Sequence, residues 1–123
     1  ICFLGVTFKA NTDDLRDSSA INLISKFIKK GAKINYYEPS GSKEVLNKHN
    51  NVNYFDDLYL ATSKVDLIII HTEWDEFKNL NFSKIKNNNK KVTIYDLRNL
   101  YDNRSFNTQK NITYYSIGRP VNA

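Results

Sequence analysis

Three cations occupy places in this chain where an anion would be held. Lys9 and Arg16 lie within "GVTFKANTDDLRDS", between an apolar run, "ICFL", and an amphipathic stretch. Arg98 lies in "YDLRN", just past another apolar run. A lysine four residues beyond Gly5 reaches a phosphate as a point charge without close backbone approach, or else stands solvated in its loop. The planar fork of Arg98 suits a bidentate phosphate contact, or else pairs with Asp96. Arg16 is flanked by Asp14 and Asp17, so its residues alone favour an internal salt bridge. The loop itself sits where a dinucleotide-binding fold keeps G-x-G-x-x-G, yet it has one glycine.

The remaining reactive side chains read as structural. Asp13 and Asp14 are adjacent carboxylates, but no His or further acid stands at ligand spacing and no nucleophile accompanies them. Turn and cap chemistry accounts for them better. No metal site is expected. Glu38 ends the second apolar run, where a dinucleotide fold places its ribose acid, a weak signal without the glycine loop. Cys2 alternates within "ICFL" as a small buried hydrophobe. His49 and His71 have no partner in the sequence, and Trp74 reads as packing.

These residues need a scaffold, and hydrophobic periodicity supplies one. "ICFLG", "AKINYYEP", "VDLIIIHT", "KVTIYDLR" and "ITYYSIG" read as strands. From Ser18 to Lys30, Ala20, Ile21, Ile24, Phe27 and Ile28 share one helical face, with Asp17 or Ser18 as N-cap and Gly31 as the stop. "SKEVLNKH" and "DDLYLATSK" are short helices, the second opened by Asp56 or Asp57. "EWDEF", "FSKIKNN" and a turn near Tyr101–Phe106 are helical pieces, and "KNNNKK" is an exposed turn. Five strands alternating with helices predict an α/β fold: a Rossmann-like, mainly parallel sheet with helices on both faces, in three α/β/α layers. Ligands of such sheets gather at the carboxyl ends of the strands. Lys9, Arg16 and Arg98 converge there, whereas most other lysines fall on helices or turns.

The chain has 123 residues, one domain's worth, with 41% hydrophobic and 25% charged residues. It begins inside a buried strand and contains no Met, so a piece of a longer protein is expected. No apolar run reaches the roughly 18 residues that span a membrane, and no signal peptide is evident. A single cysteine excludes a disulfide framework or a cysteine zinc site and agrees with a reducing, cytoplasmic location. Net charge is +5. That raises nucleic acid as a partner, but Lys and Asn are abundant throughout and no nucleic-acid motif accompanies them.

Four motifs, "GVTFKANTDDLRDSSA", "HTEWDEF", "DLRNLYD" and "YSIGRP", resemble in this order the C-terminal domain of the UDP-glucose/GDP-mannose dehydrogenase family, over nearly the whole chain. "TEWDEF" with "DLRN" looks most like the UDP-glucose-oxidising branch, which forms UDP-glucuronate. At Ala10 the family commonly has Pro, a change that loosens the loop and removes no functional group. The resemblance implies an enzyme that oxidises a sugar-nucleotide alcohol in two steps with two NAD. Such an enzyme joins an N-terminal NAD-binding domain, a central helical segment and this UDP-binding domain, residues 1–123. By resemblance Phe8, Lys9 and Arg98 contact the UDP-sugar, and Arg16 reaches NAD held mainly by the N-terminal domain. The family's catalytic cysteine and its helpers lie upstream, so no catalytic residue is expected here and the domain alone should be inactive. The full-length enzyme should be a homodimer through its central helix, and this piece a monomer. Rival readings are the same domain of a GDP-mannose or UDP-N-acetylhexosamine dehydrogenase, a non-catalytic nucleotide- or RNA-binding module, and a phosphoacceptor domain of flavodoxin-like shape. The last lacks an aspartate at a strand end with an acidic metal cluster.

Overall fold

Helix α1 (Ser19–Lys29) forms where the apolar spacing places it. Its Ala20 and Ile24 are buried, the Ser18 side chain caps it by accepting from the Ala20 N–H, and Lys26 and Lys29 stand in its last turn. Gly31, at φ 91°, takes the left-handed conformation that ends it. This computed structural model describes residues 1–102, 106 and 110–117. Along them follow β1 (Cys2–Leu4), α1, β2 (Ile34–Tyr37), α2 (Glu44–Asn47), β3 (Val52–Tyr54), α3 (Leu58–Ala61), β4 (Leu67–Ile70), a 3₁₀ turn (Asp75–Asn79), α4 (Phe82–Asn87), β5 (Val92–Asp96) and β6 (Ile112–Ser116).

The strands form one sheet in the order β3-β2-β1-β4-β5-β6, and every pairing is parallel. That order is the doubly wound one, in which the chain reverses direction across the sheet between β1 and β4. Side chains alternate between two cores, as the pleat requires. Phe3, Ile34, Tyr36 and Ile69 pack with Ala20, Ile24 and Leu46 on the face of α1 and α2. Cys2, Leu4, Ile68, Ile70, Val92 and Ile94 pack with Leu58, Ala61, Phe77 and Ile85 on the opposite face. The three layers expected from the alternation are present.

One strand was not anticipated. Val52–Tyr54, a stretch that the periodicity reading does not include among its strands, is an edge strand paired only to β2, Ile34 against Val52 and Tyr36 against Tyr54. Its three residues sit among Asn and Asp, which read as turn chemistry, so the sheet has six strands and not five. Asp57, rather than Asp56, opens α3, accepting from the N–H groups of Tyr59 and Leu60. In "KNNNKK", Asn89 is a bracket rather than a solvated turn residue: its amide donates to the carbonyls of Thr62 and Ile85 while its oxygen accepts from the Val65 N–H. The turn expected near Tyr101–Phe106 lies partly outside the described residues, as do Gly118–Pro120 of "YSIGRP".

Candidate functional site

The carboxyl edge of the sheet is built around the β1/β4 switch point, and it begins with Gly5. Its N–H donates to the Tyr37 carbonyl at 2.9 Å, and its φ is 83°. A Cβ at this position would lie 2.6 Å from the Thr72 Cβ, so glycine is required both by the turn and by the neighbouring loop. The loops after β1 and β4 are therefore in direct contact. The Thr72 hydroxyl donates to the Thr7 carbonyl (2.9 Å), and the His71 N–H donates to the Leu4 carbonyl (3.0 Å). The β5 loop joins the same row, since Arg98 Nε donates to the His71 carbonyl at 2.7 Å.

His71 sits at the centre of this row, buried, between Ser19 Oγ (2.9 Å from Nε2) and Thr72 Oγ1 (3.0 Å from Nδ1). The Thr72 hydroxyl spends its one proton on Thr7, so it accepts from His71 Nδ1–H, and Nε2 accepts from Ser19. The neutral ring with its proton on Nδ1 fits this network. Burial and then the nearby Arg98 guanidinium push the His71 pKa down to about 4.

The β1–α1 loop is held down from both sides. Glu38, 1% exposed, accepts at Oε1 from the N–H groups of Val6 (2.9 Å) and Thr7 (3.3 Å). Its Oε2 accepts from the N–H and hydroxyl of Ser40 at 2.8 and 2.7 Å. Ser18 Oγ donates to the Val6 carbonyl (2.6 Å), which ties the cap of α1 to the same peptide. Beyond these anchors the chain surfaces. Phe8 is 48% exposed, and Lys9 is exposed with its carbonyl accepting from Thr7 Oγ1.

The sequence-assigned cations divide. Lys9 and Arg98 lie on loops either side of the β4 loop, exposed, and among the described residues neither forms an ion pair. The alternative pairing of the Arg98 side chain with Asp96 does not occur. Asp96 is buried and accepts instead from the backbone N–H groups of Arg98, Leu100 and Tyr101 and from the Tyr114 hydroxyl (2.6 Å), and the outer guanidinium nitrogens of Arg98 have no hydrogen-bond partner among the described residues. Arg16 stands apart. It grips Asp14 through Nε and Nη2 (2.8 Å for the latter), with its own side chain 88% exposed. That guanidinium holds the Asp14 carboxyl down at about 2. Asp14 acts as a turn residue, its N–H donating to Thr12 Oγ1 and its carboxylate accepting from the Arg16 N–H, and no group of acids, histidines or cysteines among the described residues could hold a metal ion. Cys2 is fully buried, which pushes its thiol up to about 12.

Residues 2–103 match the UDP-glucose/GDP-mannose dehydrogenase family, UDP binding domain. The chain belongs to this family. Among curated relatives of the family, the UDP-glucose 6-dehydrogenases of Rhizobium meliloti (strain 1021) and Rickettsia prowazekii (strain Madrid E) are each 38% identical over 98% of this chain. The chain spans 27% and 28% of their respective lengths. Among solved structures, a UDP-D-ManNAc dehydrogenase from Pyrococcus horikoshii superposes with TM-score 0.72 at 27% identity, over 96% of this chain and 25% of that one. An NDP-N-acetyl-D-galactosaminuronic acid dehydrogenase from Methanosarcina mazei Go1, at 23% identity, shares the fold with TM-score 0.79, over 95% of this chain and 24% of that one.

The family's sequence signature located the cations and not the frame that carries them. His71 and Thr72 had no partner assigned from the sequence, Ser18 only a cap role, and Glu38 only a ligand's ribose. The available signal was that each is a polar residue at the end of an apolar run or at a helix cap, where a buried carboxylate, imidazole or hydroxyl must find hydrogen bonds.

Proposed function

We propose that this chain is the part of a UDP-glucose 6-dehydrogenase that holds the UDP end of its substrate during NAD-dependent oxidation to UDP-glucuronate. The observation that carries the reading is a pair of cations, Lys9 and Arg98, that have no ion-pair partner among the described residues and stand on either side of the switch point, above a loop whose Val6 and Thr7 N–H groups are already engaged. The diphosphate is gripped by side-chain charge, with Arg98 supplying a planar fork and Lys9 a mobile point charge. Phe8, half exposed beside Lys9, offers an apolar surface to the ring portions of the ligand.

The same edge does not suit NAD lying against the backbone. The loop lacks the second and third glycines, Glu38 occupies the Val6 and Thr7 N–H groups, and Thr72 closes over Gly5. NAD belongs to another domain of the full-length protein, with Arg16 reaching it after releasing Asp14. The full-length protein is a cytoplasmic homodimer in this reading, and residues 1–123 contribute no nucleophile. A UDP-N-acetylhexosamine dehydrogenase is the second reading, favoured by the likeness to the Pyrococcus horikoshii enzyme. A panel of sugar nucleotides with the full-length protein separates the two.

Calorimetric titration of the full-length protein tests the residue roles. Lys9→Ala and Arg98→Ala each remove a charge-assisted hydrogen bond of roughly 1.5–3 kcal/mol, a tenfold to hundredfold loss of UDP affinity. NAD affinity should change little in both. Arg16→Ala should show the opposite pattern. Equal loss of both ligands in all three variants would mean that the charges act through folding or domain closure, and the roles would be withdrawn.

A further inference from the structure

We infer that Glu38 is a positioning residue: a built-in anion that takes the backbone donors of the β1–α1 loop and so fixes Phe8 and Lys9 for the diphosphate of the substrate. The inference rests on the reading of Lys9 and Phe8 given above. In a sheet of this strand order, the N–H groups just past β1 are the ones that grip a pyrophosphate. Here those groups belong to Val6 and Thr7, both fully buried, and both donate to Glu38 Oε1. Ser40 locks the other carboxylate oxygen with two donors, so four hydrogen bonds compensate a charge that no cation among the described residues neutralises. The Val6 and Thr7 carbonyls are held in turn by Ser18 and Thr72. The two residues that precede Phe8 and Lys9 are thus anchored through both their N–H and their carbonyl groups.

Two consequences follow from the charge itself. A second anion brought against the backbone at this point would meet the Glu38 carboxylate, so an incoming diphosphate is directed outward to Lys9 and Arg98. The loop also reaches its binding conformation before ligand arrives, because an internal carboxylate has done the ordering that a bound pyrophosphate does elsewhere.

A double-mutant cycle in the full-length protein tests this, with UDP affinity by calorimetry and amide exchange of residues 5–9 by mass spectrometry. Glu38→Ala should speed exchange in that segment and weaken UDP binding about tenfold, but by less than about threefold in a Lys9→Ala background, because the two act through one contact. Glu38→Gln, which keeps an acceptor toward Val6 and Thr7, should restore most of the affinity. Should Glu38→Ala not fold, Glu38→Asp takes its place in the cycle, since the shorter side chain withdraws from Val6 and Thr7 and keeps its charge. An equal loss in both backgrounds, or unchanged UDP affinity despite faster exchange, overturns the positioning role alone. Unchanged affinity in Lys9→Ala by itself overturns the reading of the site, and this inference with it.

Discussion

Acidification should weaken this domain through one residue, His71. An unfolded histidine titrates near 6.5, whereas His71 in the folded chain titrates at about 4, chiefly because it is buried and secondarily because Arg98 lies close. Between those values the unfolded chain binds the extra proton and the folded chain does not. The stabilisation is therefore complete above about pH 6.5 and is lost progressively as pH falls toward 4. At pH 5 the difference amounts to about 2 kcal/mol, a large part of the margin of a small domain. The structural cost is that of a buried charge: protonation reverses the Ser19 contact, Nε2–H then donating to the hydroxyl, and it sets a second cation beside Arg98, whose Nε is bound to the same residue's carbonyl. Urea unfolding of the 123-residue chain at pH 7.5 and 5.0 measures the effect. His71→Gln should be less stable at pH 7.5 but should lose about 2 kcal/mol less than the parent between the two pH values. If both proteins lost the same stability, or if the His71 ring resonances titrated near 6.5, the buried neutral imidazole would be the wrong description.

Other consequences are simpler to check. Gly5→Ala forces a side chain into the left-handed region and against Thr72, and should lower stability by roughly 2–4 kcal/mol in denaturant unfolding, combining backbone and overpacking costs. Cys2 should react with a thiol reagent orders of magnitude more slowly in the native chain than in the denatured one, since burial holds its thiol up at about 12; equal rates would show that β1 frays. The purified chain should give a cooperative melt with mixed α/β circular dichroism and form no NADH from UDP-glucose. Turnover by this chain alone would overturn the proposal that the nucleophile belongs to another part of the full-length protein.

Local pattern carried much of this protein. The stretch Ser18–Gly31 contains a cap, a 3.6-residue apolar stripe, basic residues in the last turn and a left-handed stop, all within contact of one another along the chain, so α1 could be read directly. The apolar run at β4 and the alternation of strands with helices likewise implied a parallel sheet covered on both sides, and the ends of its strands implied where Lys9 and Arg98 would stand. What depended on tertiary structure was every decision made between distant segments. Val52–Tyr54 is a strand only because β2 presents it with an unpaired edge. Glu38 looks like a ribose ligand until the fold sets it under Val6 and Thr7, about thirty residues away, where it satisfies the chain's own donors. Arg98 is two residues from Asp96, yet their side chains do not pair. The strand order brings the His71 carbonyl to Arg98, and the Asp96 carboxylate is consumed by backbone donors and Tyr114. Helix and strand periods are properties of neighbouring residues, whereas the partner of a buried charge is chosen by whichever donors the topology delivers to it.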